Sequence, residues 1–353
     1  MHTTDKVTEN AHGPACQTVR VSNVETDPHE TVCHGTDGAV AGDHRVEVLE
    51  PRDVPLGGPR AMTVRRTLPQ RQRSMIGAWC FADHYGPDDV SRTGGMDVPP
   101  HPHTGLQTVS WLFTGEVEHR DSLGTHALVR PGELNLMTGG HGIAHSEVST
   151  PGTTTLHGVQ LWVALPDSDR DAPRDFQHHA PTPVELEGAT VSVFLGSLVG
   201  QVSPVRTATP LLGAEVVLQP GARIELAVDP SYEHGVLADT DGIDLAGTLL
   251  PRAGLGHLPP GAGSLVLANA SDAPARAVLL GGPPFEEDIV MWWNFVGRSH
   301  EDIERAREEW MAGSDRFGEV QGYAGAVQHL PAPALPAVRI RPRRNASRAD
   351  RDS

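Results

Sequence analysis

The sequence predicts an all-β protein made of two barrels in tandem, and three observations carry that expectation. Short apolar segments recur between turn signals along most of the chain. Glycine (38) and proline (30) are abundant, whereas aromatic residues make up only 5% of the 353. The same turn device also appears in both halves. Many short strands punctuated by Gly and Pro fit a sandwich or barrel better than they fit helices. A chain of this length has room for two domains, each with its own core.

Taken in order, residues 1–45 are polar, rich in Thr, Asp and His, and without apolar periodicity, so they are expected to form a disordered leader. Residues 46–183 hold a first series of strand-like segments: "AMTVRRTL", "LQTVSWLF", "HALVRPGELNLM" and "HGVQLWVALP". Residues 184–315 hold a second, including "VELEGATVSVFLG", "AEVVLQPGARIELAV" and "SLVLANASDAPARAVLLGG". Pro131-Gly132 in the first series is matched by Pro220-Gly221 and Pro260-Gly261 in the second. Pro followed by Gly suits the two central positions of a type II turn, because the second needs φ > 0. The exception to β is "SHEDIERAREEWMAG", where Ser299 and Asp302 form a capping pair. Ile303, Ala306 and Trp310 share one face, and Gly313 ends the helix. Residues 316–353 form an extension that ends in a basic stretch, "RIRPRRNASRADR", expected to be disordered.

A formal charge of -17 argues against a nucleic-acid surface, which must neutralise phosphates with clustered Lys and Arg. Three cysteines make no complete disulfide set, and Cys80, between Trp79 and Phe81, reads as a buried apolar residue. No apolar run approaches the ~20 residues of a membrane span. A soluble, cytoplasmic monomer is the expectation. Phosphate-cradling loops, nucleophile elbows and CxxC pairs are missing from the sequence, and "DTDGID" lacks the glutamate that a calcium loop requires.

The chemistry concentrates between "HPHTGLQTV" and "HGIAHSE". On a strand, residues i and i+2 point to the same side, so His101 and His103 project together, as do His145 and Glu147. The same alternation, carried forward from His103, places Gln107, Val109, Trp111 and Phe113 on the histidine side as an apolar pocket wall. Unpaired buried imidazoles and carboxylates cost free energy, and a bound metal relieves that cost. Three His nitrogens and one Glu oxygen suit a divalent transition metal. His141, on a glycine-rich turn, is expected near the site, whereas His119, His126 and His157 read as surface or hydrogen-bonded strand residues. His234 and His257 are isolated.

The segments "RTLP", "FADHYGP", "HPHTGLQTV", "DSLGTHALVRPGELNLMTGGHGIAHSE", "LWVALP" and "LLGGPPFEEDIVMWWNFVGRS" together resemble the pirin family, two-domain members of the cupin superfamily. The resemblance covers about residues 46 to 340. It implies a bicupin of two facing antiparallel barrels with one C-terminal helix. It also implies a single metal, usually iron, in the first barrel, held by His101, His103, His145 and Glu147. The second barrel would be metal-free. Where pirins typically read Phe-Glu after the His-Pro-His-x-Gly segment, this chain has Leu106-Gln107.

Some pirins resemble quercetinases, so the resemblance implies an Fe(II)- and O2-dependent dioxygenase acting on a flavonol or related phenol, with Glu147 as both ligand and proton acceptor. The rival reading is a metal-dependent regulatory protein that binds transcription factors or metabolic enzymes without turnover. The first predicts a pocket of a few hundred Å3 and the second does not.

Overall fold

The computed structural model describes residues 45–56 and 62–340, together with the backbone of Thr31–Cys33. Each half combines one seven-stranded and one four-stranded antiparallel sheet, which is the tandem architecture that the turns predict. In the first half the long sheet runs, in spatial order, Asp175–His179, Leu134–Thr138, Leu106–Thr114, Thr155–Ala164, Trp79–Asp89, Met62–Leu68, Arg52–Leu56. Its short sheet is Asp97–His103, Ile143–Ser149, Val117–Asp121, His126–Val129. The second half repeats the plan, with Leu212–Leu218, Ala275–Gly282 and Glu233–Ala238 at the centre of its long sheet. The turn glycines Gly132, Gly221 and Gly261 all have positive φ, as their Pro-Gly dipeptides require.

Three connections cross the boundary between the halves. Glu47–Leu49 precedes the first barrel in sequence, yet it pairs with Leu255–Leu258 at the edge of the second. Thr31–Cys33, within the stretch expected to carry no fold, pairs with Ile289–Met291; the rest of the leader and the basic tail from 341 onward lie outside the described residues. The chain after the second barrel returns to the first. Val296 N donates to Thr104 O at 3.0 Å, Leu330 N to Pro100 O at 2.8 Å, and Tyr323 Oη to Asp97 Oδ1 at 2.8 Å.

The helix spans His300–Met311 and opens with the expected capping box, Ser299 and Asp302 each accepting from the other's backbone N–H. Ile303, Ala306 and Trp310 are its buried face, packed against Trp292, Phe295 and Phe317. Among the described residues no helix is long and apolar enough to cross a membrane.

Apolar burial falls into separate bodies. One fills the first barrel (Val64, Tyr85, Met96, Val98, Leu112) and one fills the second (Val191, Val216, Leu226, Val236, Leu267). The largest lies between the barrels, where Trp79, Trp111, Val159 and Leu161 meet Phe194, Leu237 and Leu280, and it also takes in Cys80. Each fully buried Val, Leu or Phe side chain contributes about 1.5–3 kcal/mol, so this junction binds the halves as firmly as a domain core.

Candidate metal centre

The Asp97–His103 strand pairs antiparallel with Ile143–Ser149, and the register sets His101 opposite His145. All three histidines are buried, at 1% exposure or less, with ring centroids 4.3–5.1 Å apart. His103 Nε2 and His145 Nε2 face each other at 3.0 Å.

The Nδ1 atoms of His101 and His145 are held. His101 Nδ1 donates to the Pro99 carbonyl at 2.8 Å, leaving a buried Nε2 with no hydrogen-bond partner. His145 Nδ1 lies 3.4 Å from His119 Nδ1, and His119 Nε2 lies 3.1 Å from Asp121 Oδ2. With Asp121 as acceptor, a consistent set of tautomers runs Nε2–H of His119 to Asp121 and Nδ1–H of His145 to His119. The Nε2 lone pairs of His101 and His145 are thereby left free, in the tautomer that a metal-binding imidazole needs.

Burial holds His101 down to about 4 and pushes His103 and His145 well below the ordinary imidazole range, with mutual repulsion among the rings adding to it. The rings are therefore neutral at physiological pH. Glu147, paired across the strands with His119, is buried beside them, and its Oε1 accepts from Ser110 Oγ at 3.3 Å. Burial raises its pKa. His101, His103 and His145 form one close group of possible ligand atoms, and Glu147 forms another with His145 and His119; donors of these types suit a divalent transition metal.

The family model described as Pirin matches residues 61–163, and the one described as the Pirin C-terminal cupin domain matches residues 213–318. The chain belongs to the pirin family. Its relatives include a Pseudomonas aeruginosa protein named "Putative quercetin 2,3-dioxygenase", 43% identical over 83% of this chain and 92% of that one. A pirin-like protein of Caulobacter vibrioides is 34% identical over 71% and 88%. Among solved structures, the quercetin 2,3-dioxygenase of Acinetobacter baumannii superposes with a TM-score of 0.78 at 38% identity, covering 84% of this chain and 98% of that one. The pirin described here is thus a bicupin.

The expected pocket wall of this pirin faces the wrong way for its purpose. His103 and Leu106 belong to different strands, joined through Gly105 at φ +68°, where a Cβ would come 2.3 Å from the Val296 carbonyl. Crossing this break inverts the alternation. Thr108, Ser110 and Leu112 face the barrel interior, and Gln107, Val109 and Trp111 face outward beside Thr138, Leu136 and Leu134. Trp111 Nε1 donates to Glu215 Oε2 of the second barrel at 2.6 Å and its ring packs on Phe194. Phe113 packs on His157 and Arg276. Gln107 donates to Thr138 Oγ1 at 2.9 Å. His141 is an exposed turn residue 3.5 Å from Asp171.

Tyr85, Asp83, Gln160 and Trp162 line the interior with Thr108, Ser110 and Leu112. Trp162 stands edge-on to His103 at 5.2 Å and stacks on Phe81 at 4.1 Å. The Arg66 guanidinium covers the other face of Phe81 and grips Asp83 through two bonds of 2.7 and 2.8 Å. Beside Glu147 a cavity of about 20 Å3 is lined by Val64, Asp83, Tyr85, Met96, Val98 and Gln160.

His119 is the functional neighbour that sequence reasoning missed. Val117, His119 and Asp121 alternate with Glu118 and Arg120, and that period of two, next to the His-x-Glu strand, is the signal that finds it.

A second cluster joins the barrels. Asp239 Oδ1 lies 2.6 Å from His84 Nε2 and 2.5 Å from His157 Nε2, and Oδ2 lies 3.2 Å from Arg276. Arg65 stands 3.4 Å from His84 Nδ1. Spacing alone would admit a cation here. However, two guanidinium groups already supply the positive charge and both imidazoles have an acceptor, so the cluster is a hydrogen-bonded clasp. His157 is hydrogen-bonded as expected, but to the partner barrel.

Proposed function

We propose that this pirin is a mononuclear metal-dependent dioxygenase acting on a flavonol or a related phenol. His101, His103, His145 and Glu147 would hold the metal, and iron(II) would be the ion used. The observation that carries the reading is the clustering of three buried neutral imidazoles, two of them with the second nitrogen occupied, beside a buried carboxylate. The likeness to proteins named as quercetin 2,3-dioxygenases gives independent support.

A divalent ion in this set supplies Lewis acidity and, as iron(II), reactivity toward dioxygen. The chain's own groups do the rest. Glu147, its pKa raised by burial, takes the proton of the substrate hydroxyl, and Ser110 holds the carboxylate in place. His119 and Asp121 fix the His145 ring. Trp162 and Phe81 exclude water from the far side of His103.

One observation favours the rival, a metal-dependent regulatory protein that acts through protein partners. The cavity at Glu147, about 20 Å3, is far smaller than a flavonol. Aerobic turnover of quercetin by the Fe(II)-loaded protein, followed through loss of the flavonol absorbance with His145→Ala as control, separates the two. Loss that depends on His145 supports the dioxygenase. No loss from protein with iron bound supports the regulator.

A further inference from the structure

The two barrels repeat one plan but treat one sheet edge differently. The short sheet of the first runs Asp97–His103, Ile143–Ser149, Val117–Asp121, His126–Val129, and that of the second runs Arg223–Ala227, Ser264–Asn269, Ile243–Leu245, Thr248–Leu249. Arg223–Ala227 therefore stands where the first barrel has its His101 and His103 strand. Each is the outermost strand of its sheet, so one row of its backbone N–H and C=O groups has no partner within that sheet. The first barrel covers this edge with returning chain: Val296 N donates to Thr104 O, Leu330 N donates to Pro100 O, and Leu330 packs on the barrel's core. The second barrel has no such cover among the described residues. Arg223–Ala227 pairs with Ser264–Asn269 alone, and no backbone hydrogen bond reaches its other edge.

Open space adjoins the bare edge. A cavity of about 960 Å3 is lined by residues 225–228 together with Leu186, Leu198, Val202 and Leu212. Val202 is 76% exposed, an apolar side chain of this lining left in water. Alternation fixes what an added strand would meet. Ile224 and Leu226 are buried in the barrel's aliphatic core, whereas Arg223, Glu225 and Ala227 are exposed. The charged residues of the lining are Glu225 and Asp229, the second lying just past the end of the strand. Each is held by a serine, Glu225 by Ser264 Oγ at 2.5 Å and Asp229 by Ser231 Oγ at 2.7 Å, and among the described residues neither is paired with a Lys or Arg.

We propose that Arg223–Ala227 is a docking edge for an extended segment of a partner protein, in which apolar residues alternate with Lys or Arg. The segment adds one strand to the short sheet, its backbone completing the unused row of hydrogen bonds along a contact of about 17 Å. Its apolar side chains turn inward beside Ile224 and Leu226, over the cavity, and its cations turn outward beside Glu225. An acidic segment meets like charge at Glu225 and Asp229. In the first barrel the chain's own C-terminal return covers the matching strand, so the fold already shows this edge accepting a covering segment. The inference is independent of the dioxygenase reading, because it concerns the other barrel.

The test titrates the full chain against a fluorescein-labelled peptide of alternating Val and Lys, read by fluorescence anisotropy. Its counterparts are a Val and Glu peptide and a Val and Lys peptide with the backbone N-methylated throughout. Two variants are compared: Glu225→Lys at the edge, and Glu304→Lys, which makes the same charge change at an exposed position on the helix. The expected result is saturable binding of the Val and Lys peptide, weakened about fivefold or more by Glu225→Lys, little changed by Glu304→Lys, and lost on N-methylation. The Val and Glu peptide binds Glu225→Lys better than it binds wild type. Hydrogen exchange followed by NMR shows the outward-facing amides of 223–227 slowed by the peptide and those of 97–103 unchanged. Absence of saturable binding overturns the proposal. So does an equal loss in both charge variants, and so does binding that survives N-methylation. Outward-facing amides of 223–227 that are already slow in the free protein overturn it too, because the edge is then covered by this chain or by a second copy.

Discussion

Replacing Asp239 removes the acceptor that ties the two barrels together, and the cost follows from what is left behind. The carboxylate is fully buried, its Oδ1 receives both His84 and His157, and its Oδ2 receives Arg276. In Asp239→Ala two imidazoles and a guanidinium lose their partner in a dry interface. Breaking a buried pair on one side costs about 3–5 kcal/mol. Asp239→Asn keeps an oxygen in place and loses the charge, which costs less, about 1–3 kcal/mol. The assay is urea unfolding at neutral pH, read by both near- and far-UV circular dichroism. The pH dependence has a defined sign. Burial lowers the His84 pKa, so the unfolded chain takes up protons first and stability falls as pH drops through about 6.5. His84 and His157 both bind Asp239 and depress its pKa, so its contribution is present above about pH 4 and drains away below it. Asp239→Ala loses that lower limb. An alanine variant within about 0.5 kcal/mol of wild type, with the same acid profile, would refute the clasp.

Two further outcomes follow from the first barrel and the helix. His119→Ala leaves all four candidate ligands intact but frees the His145 ring, so metal affinity, measured by competition with a chromogenic chelator, falls about 10–100-fold; an unchanged affinity removes His119 and Asp121 from the account. Ser299→Ala strips the cap from the helix and costs about 0.5–2 kcal/mol, measured by thermal unfolding; no shift would mean that packing of Ile303, Ala306 and Trp310 alone holds that end.

What the sequence reveals about this molecule depends on how local each feature is. The His-x-His and His-x-Glu pairs are legible because each needs only the two-residue period of one strand, and their meeting needs only that the strands be neighbours. The capping box and the Pro-Gly turns are local in the same way. The pocket wall is misread because the period is carried across Gly105, where the strand breaks and the facing inverts. Nothing in the spacing of His84, His157 and Asp239 announces the clasp, since His84 and His157 lie on two strands of the first barrel and Asp239 just past the end of the Glu233–Ala238 strand in the second. Glu47–Leu49 is too short for its pattern to say which sheet it joins, and pairing with Leu255–Leu258 decides it.

The return of the chain from the second barrel to the first sets an order of events during synthesis. The strand carrying His101 and His103 emerges from the ribosome early, but the segment that covers it, around Phe295 and Val296, comes only after both barrels have been made. The edge strand Glu47–Leu49 must likewise wait for Leu255–Leu258. The first half therefore cannot be finished until the second has been made. The imidazole cluster stays open to incoming ions through most of translation and is sealed late. A truncated product ending between the barrels would present an uncovered histidine site and an unpaired strand, which makes it a substrate for proteolysis and a seed for aggregation.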